Sequence, residues 1–140
     1  MKVLLVDDEP DIRKVGRLSL VGVGKFEDFL DAGALEGIEL AHSQRPDLIL
    51  MDIMMPGMDG LAALAALKDD PEWATIPVIF MTAKVQRGEM EQYLAAGAIG
   101  VTQKPFDPMT LPDEVRLLLA KSSPQYAQSP LLSQQSSTCC

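Results

Sequence analysis

The chain carries, at residues 3–8, the stretch Val3-Leu4-Leu5-Val6-Asp7-Asp8, an apolar run that stops at two aspartates. Short continuous runs of Val, Leu and Ile are typical of strands that are buried on both faces of a parallel sheet. Three later runs end in the same way, at Asp52, at Thr82 and at Lys104. Because the carboxyl ends of the strands of an open α/β sheet border one crevice, we expect these polar side chains to meet there.

Length and composition exclude several classes of protein. A chain of 140 residues is one domain, and its formal net charge of −8 argues against binding to nucleic acid or to an anionic membrane. No apolar stretch approaches the roughly 20 residues of a membrane-spanning helix. The only cysteines, Cys139 and Cys140, are adjacent and terminal, so they form neither a disulfide framework nor a metal site. We expect a cytoplasmic protein without membrane insertion or a nucleic-acid partner.

Helical patterns separate the strand-like runs. The first helix is predicted from Pro10 to about Val21, and an acidic run over residues 26–32 suits an edge strand. The second helix spans residues 34–44 and is closed by Arg45-Pro46.

The later helices are marked by their ends and by their apolar spacing. Asp59-Gly60 opens a third helix, whose helical stripe is predicted to contain Leu61, Leu64, Ala65 and Lys68. The fourth spans about residues 86–96 and stops at Gly97. The fifth could begin at Asp107-Pro108 or near Thr110. We favour the later start, or a broken first turn, because Pro112 would otherwise lie too deep in the helix.

Five strand–helix units predict an α/β fold, a doubly wound, flavodoxin-like (βα)5 three-layer sandwich with a parallel sheet of order 2-1-3-4-5. This order places the topological switch point beside Asp7, Asp8 and Asp52. The domain is expected to cover residues 1–121. Residues 122–140 contain no charged side chain and are rich in Ser, Gln and Pro, so a disordered tail is expected there.

The predicted cluster of carboxylates needs positive charge. Two carboxylates about 4–5 Å apart repel by about 3–4 kcal/mol at an effective dielectric near 20. An all-oxygen, partly hydrated site suits Mg²⁺, for which Mn²⁺ can substitute. Lys104 adds a second positive charge. A carboxylate, a metal and a lysine around an open position fit phosphoryl transfer to an aspartate.

Four motifs resemble the receiver domain of bacterial two-component response regulators, in its single-domain, chemotaxis-regulator-like form. They are residues 5–10 (Leu-Val-Asp-Asp-Glu-Pro), residues 51–60 (Met-Asp-Ile-Met-Met-Pro-Gly-Met-Asp-Gly), residues 81–83 (Met-Thr-Ala) and residues 104–106 (Lys-Pro-Phe). The resemblance covers residues 1 to about 120, and the four motifs occur in order at the right separations.

The resemblance implies a role for each matched residue. Asp52 would accept a phosphoryl group from a histidine kinase or a histidine phosphotransfer protein, and Thr82 and Lys104 would hold the phosphoryl oxygens. Asp8 and Asp52 would bind Mg²⁺ directly, with the backbone carbonyl of Met54, while Asp7 would act mainly through water. The Lys104-Pro105 bond is expected to be cis. Such a domain is a self-phosphorylating and self-dephosphorylating signalling unit rather than a turnover enzyme.

The resemblance also names the positions that switch and tune the domain. In the family an aromatic side chain moves inward together with the threonine. This movement reshapes the face made by the fourth helix, fifth strand and fifth helix, where an output partner binds. That position is Val101 here, so this sequence departs from the family at the aromatic half of the switch. Ala83, Met54 and Lys84 are the expected tuning positions. We hypothesise that apolar Met54 shields the acyl phosphate from water, in which case Met54→Asn should lose phosphate faster.

Several alternative functions remain open. Nothing after residue 121 is large enough for an output domain, so the chain could act alone through a partner, relay phosphate, or be a receiver fragment of a hybrid kinase or multidomain regulator. It could also be a phosphohydrolase with an aspartyl-phosphate intermediate on Asp7 and Glu9 as the second carboxylate. A receiver used purely as a scaffold is disfavoured because every chemical residue is present.

Overall fold

The computed structural model of the chain describes residues 2–26, 28–55, 58–71, 74–83, 87–104 and 106–122. Five strands form one parallel sheet: β1 (Lys2–Val6), β2 (Asp28–Ala32), β3 (Leu48–Asp52), β4 (Val78–Thr82) and β5 (Gly100–Gln103). Their order in the sheet is β2-β1-β3-β4-β5, which confirms the predicted doubly wound topology.

Five α-helices connect or follow the strands: α1 (Pro10–Arg17), α2 (Ala34–Gln44), α3 (Gly60–Asp69), α4 (Arg87–Ala95) and α5 (Leu111–Ser122). The first helix continues as a π-helical segment, Leu18–Val23, which we did not predict. A short antiparallel pair, Met54–Met55 with Met58–Asp59, lies between β3 and α3.

Local sequence explains most helix ends. Pro10 stands at the first position of α1, where its missing N–H costs no hydrogen bond. Arg45 closes α2 in the left-handed conformation, and Gly97 follows α4 with a φ of +117°, a value that glycine adopts at little cost. The later start of α5 is confirmed. Asp107 precedes it, and the Asp107 carboxylate accepts a hydrogen bond from the Met109 N–H.

The sheet has an apolar core on each face. One core contains Val3, Leu5, Leu50 and Met81 and packs against α1 and α5, a surface that we call the α1–α5 face. The other contains Leu4, Ile49, Met51 and Phe80 and packs against the remaining helices, a surface that we call the α2–α4 face. Because successive residues of a strand point to opposite faces, the unbroken apolar runs serve both cores.

The predicted third helix is confirmed as α3, and the structure shows which of its apolar residues are buried. The buried positions are Gly60, Ala63, Leu64 and Leu67, whereas Ala65 is exposed. Both the predicted stripe and the buried one have helical spacing, and in a helix so rich in Ala and Leu the sequence alone does not decide between them.

Two predictions about the fold concern residues that the structure does not describe. Apart from Ser122, which ends α5, the predicted tail lies beyond the described residues, and so does Pro105 with its expected cis bond. Within the ranges that are described, no helix combines the length and the apolar character needed to cross a membrane.

Candidate functional site

The strand register brings the ends of the apolar runs to one edge of the sheet. Val6 is level with Met51, Asp52 with Met81, and Thr82 with Gln103. The polar residues that end these runs are therefore neighbours although 97 residues separate Asp7 from Lys104. The site lies between β1 and β3, where the strand order reverses, as predicted.

Lys104 is the centre of this site. Its Nζ donates a hydrogen bond to Asp7 Oδ2 at 2.9 Å and lies 3.3 Å from Asp52 Oδ2. Asp7 is completely buried, and Asp52 and Lys104 are 6% and 9% exposed. The lysine, which we expected to add charge beside a metal, is here the direct counter-charge of two buried carboxylates.

The surroundings of Lys104 keep it protonated. Burial by itself lowers the pKa of Lys104, because a charged group loses its hydration. The hydrogen bond to Asp7 and the negative charges of Asp7 and Asp52 outweigh this effect, so the pKa is raised above its usual range. The ammonium is thus a fixed positive charge at neutral pH.

Backbone hydrogen bonds hold the acidic and basic residues in place. The Asp7 N–H donates to the Ala32 carbonyl at 2.9 Å, and the Lys104 N–H donates to the Thr82 carbonyl at 2.8 Å. Thr82 is buried at the end of β4 and pairs with Gln103, the residue before Lys104. The structure therefore brings together four predicted site residues: Asp7, Asp52, Thr82 and Lys104.

Two further residues lie beside Asp7: Glu9, which the sequence suggested only as the second carboxylate of a phosphohydrolase, and Arg13, which was missed. The Glu9 N–H donates to Asp7 Oδ1 at 2.9 Å, and Glu9 Oε1 lies 3.6 Å from Lys104 Nζ. Arg13, one helical turn later, donates from Nη1 to the Asp7 carbonyl at 3.2 Å. Their spacing of four residues on α1 was the available signal, because it places both side chains on the same side of the helix.

Asp8 lies at the rim of the site and is exposed, unlike Asp7. Among the residues that the structure describes, no three or more His, Cys, Asp and Glu side chains are grouped so that they could hold a metal ion. The expected convergence of three carboxylates is therefore seen for two of them, Asp7 and Asp52. Met54, whose carbonyl is the expected metal ligand, stands in the short antiparallel pair opposite Asp59.

The tuning positions are described only in part. Ala83 is exposed beside Thr82, whereas Lys84 and the side chain of Met54 lie outside what the structure describes. Val101 is half-buried in β5 and packs with the core of the α2–α4 face. Its register partner on β4 is Phe80, whose ring meets Tyr93 of α4 edge-on with 5.5 Å between ring centroids.

The segment after Lys104 is attached to α1. Phe106 is buried, and its ring tip lies 3.8 Å from the point where a side chain on Gly16 would begin. Further along, the buried Ser19 hydroxyl of the π-helical segment donates to the Pro108 carbonyl at 2.5 Å. Within four residues after Lys104, the chain therefore contacts α1 and the π-helical segment that continues it.

Fold and site together define a class: a doubly wound α/β domain with two aspartates and a lysine at its topological switch point. Comparison with known proteins identifies the family. Residues 3–116 match the model of the response regulator receiver domain. The chain is 38% identical over 121 residues to the response regulator Rre1 of Synechocystis, an alignment covering 86% of this chain and 52% of that protein.

A second relative and a solved structure are also response regulators. The DNA-binding response regulator MtrA of Mycolicibacterium smegmatis is 30% identical over 127 residues, which cover 91% of this chain and 54% of MtrA. The structure of the chemotaxis response regulator CheY4 of Vibrio cholerae superposes with a TM-score of 0.77 at 29% identity, covering 84% of this chain and 98% of that one. The chain belongs to the response regulator receiver domain family of two-component systems. It spans about half the length of the curated relatives Rre1 and MtrA.

Proposed function

We propose that this receiver domain accepts a phosphoryl group on Asp52 from a phosphohistidine of a histidine kinase or a histidine phosphotransfer protein. An Asp52 carboxylate oxygen would attack phosphorus, the phosphorus–nitrogen bond would break, and an acyl phosphate would form. The observation that carries this assignment is the pairing of Lys104 with two carboxylates of different accessibility. The Asp7 side chain is fully enclosed, whereas 8% of the Asp52 side chain is exposed.

Lys104 and Thr82 have the chemistry to stabilise the transferred group. A phosphoryl group adds negative charge and several acceptor oxygens beside Asp52. The Lys104 ammonium, 3.3 Å from Asp52 Oδ2, would donate to one oxygen, and the hydroxyl of neighbouring Thr82 would donate to another. Phosphoryl transfer is catalysed mainly by such positioning and charge neutralisation.

Mg²⁺ fits the donor set of this site. Its preferred ligands are oxygens, and it uses one or two protein carboxylates while keeping several waters, so it does not require a three-carboxylate group. Asp8, Asp52 and the Met54 carbonyl would hold the ion, with Asp7 acting through water. When bound, the ion would neutralise charge on the phosphoryl oxygens.

We test this proposal with Mg²⁺ and a small phosphodonor, acetyl phosphate, and with the intact mass as the readout. Wild type should gain one phosphoryl group that hydroxylamine removes, and Asp52→Asn should gain none. Asp113→Asn, an exposed aspartate on α5, is the matched control and should behave as wild type. Phosphorylation of Asp52→Asn at the wild-type level would refute the assignment.

A phosphohydrolase with Asp7 as nucleophile is the competing proposal. It requires substrate to reach Asp7, whose carboxylate is buried and bonded to Lys104 and to the Glu9 N–H. Turnover of a phosphate ester that is lost in Asp7→Asn and kept in Asp52→Asn would favour it. We expect no such turnover, in keeping with a signalling domain.

The names of the relatives concern the kind of partner that receives the signal. MtrA is named as DNA-binding, so we restrict the expectation of no nucleic-acid partner to this domain itself, whose net charge of −8 opposes contact with DNA. For a longer protein that contains this domain, the names of the relatives favour a nucleic-acid partner. For the domain alone, we propose that the face made by α4, β5 and α5 binds the output partner.

A further inference from the structure

Arg13 is a second cation beside the acidic site, and the proposed phosphoryl transfer does not use it. Its side chain, on α1, is about three-quarters buried. Nη1 donates to the Asp7 carbonyl at 3.2 Å, and Nε lies 3.7 Å from Asp31 Oδ1 on β2. These contacts hold the guanidinium at the edge of the site and limit its movement into solvent.

Arg13 and Asp8 both approach Gly33, the residue that follows β2. A Cβ placed on Gly33 would lie 3.1 Å from Asp8 Oδ1 and 3.6 Å from Arg13 Nη1. The carboxylate of Asp8 and the guanidinium of Arg13 therefore border the same small space. Gly33 has an ordinary extended backbone, so what this position requires of glycine is the space itself.

We propose that Arg13 is a positioning residue that weakens the binding of Mg²⁺ by placing a fixed positive charge near Asp8. The inference rests on the proposed function, in which Asp8 is a metal ligand. A divalent cation that reaches Asp8 meets the repulsion of the nearby guanidinium. Removal of the Arg13 charge should therefore tighten the binding of Mg²⁺.

The test is titration calorimetry of Mg²⁺ into the unphosphorylated full chain. Arg13→Gln should bind Mg²⁺ about three- to tenfold more tightly than wild type, the range expected for one charge interaction between partly exposed groups. Glutamine can still donate to the Asp7 carbonyl. Arg17 Nη2 remains 3.0 Å from Asp31 Oδ2, so Asp31 keeps a partner. Arg13→Met, which keeps the apolar stem, should show the same gain if the glutamine variant does not fold.

Two variants separate this effect from a general change of charge. Arg13→Lys, which keeps the positive charge, should stay within about twofold of wild type. Lys14→Gln changes the net charge equally from an exposed position on the same helix, and it should also stay within about twofold.

The outcomes distinguish this inference from the proposed function. Unchanged or weaker Mg²⁺ binding in the neutral Arg13 variants, or an equal gain in Lys14→Gln, would overturn the inference and leave phosphorylation of Asp52 standing. A wild-type domain that takes up no Mg²⁺ would overturn both the inference and the metal part of the proposed function.

Discussion

The helices on the two faces of the sheet are attached by different kinds of contact. On the α2–α4 face the described contacts are mainly apolar, and the hydroxyl of Tyr93 bonds within its own helix, to Glu89. On the α1–α5 face, polar contacts join separate segments. Ser19 bonds to Pro108, and Arg116 of α5 bonds to the Gly24 carbonyl and stacks over Phe26. The face that carries the segment after Lys104 is thus cross-linked to α1, which follows the two aspartates.

This difference has a consequence for the site, which lies where the two faces meet. Asp52 precedes the short antiparallel pair and α3, whereas Lys104 precedes the segment fastened to α1. The ion pair between Asp52 and Lys104 is therefore a polar link between these two parts of the molecule. A phosphoryl group on Asp52 would alter that link directly.

The largest effect is expected when Lys104 is lost. Lys104→Met leaves the carboxylates of Asp7 and Asp52 buried without their cation, and removal of one partner from a buried ion pair typically costs about 3–5 kcal/mol. Urea unfolding in the absence of metal should show this loss. Added Mg²⁺ should raise the melting temperature of the variant more than that of wild type. A variant as stable as wild type would mean that the pair contributes little.

The pH dependence of wild type should follow from the raised pKa of Lys104. A lysine whose pKa is higher in the folded than in the unfolded state stabilises the fold fully below its unfolded value of about 10.4. That stabilisation is lost as the pH rises through the folded-state value. Unfolding measured between neutral pH and strongly alkaline pH should show the loss in wild type, and Lys104→Met should lack this component.

A smaller effect is expected at the contact between α1 and the sheet. In Gly16→Ala the new methyl group would lie 2.5 Å from Leu5 Cδ1, inside a filled core, so a net loss of about 1–2 kcal/mol is expected from overpacking. Gly22→Ala, in the π-helical segment, meets nothing within 4 Å and should stabilise by about 0.5–1 kcal/mol. Denaturant midpoints measure both. Equal shifts in the two variants would contradict the close approach at Gly16.

The smallest effects are expected when one hydroxyl group is removed from each face of the sheet. Ser19→Ala removes a partly buried bond between two segments and should cost about 1 kcal/mol. Tyr93→Phe keeps the edge-on contact with Phe80 and loses the hydroxyl's bond to Glu89 within α4, so about 0.5 kcal/mol is expected. Thermal unfolding of the two variants under one condition checks the order. A reversed order would show that the polar contacts do not distinguish the faces.

Much of this architecture could be predicted because its signals are local. Runs such as residues 48–51 read as strands buried on both faces, and the residue that ends each run must lie at the sheet edge. The meeting of Asp7, Asp52, Thr82 and Lys104 follows from that, whereas the strand order was predicted as the common order of a five-stranded doubly wound sheet. The π-helical segment was not predicted, and its Ser19 bonds to Pro108, a contact 89 positions away that no local signal marks.

Two features of the site depended on distances that a sequence does not contain. The ends of the apolar runs indicate that carboxylates and a lysine converge. They do not indicate that Asp7 is enclosed while the adjacent Asp8 is exposed. The place of Arg13 above Gly33 depends on how α1 lies against β2. Such packing is decided between elements, so no single motif records it.

The edge strand β2 bears on how this domain avoids aggregation. In the described part of the sheet β2 pairs with β1 alone, so its outer side could accept a strand from a second molecule. Asp31 on this strand is paired with Arg17, which also lies over the ring of Phe29. A docking strand would have to separate these charges and displace the arginine, and that energetic barrier opposes chain-to-chain polymerisation through β2.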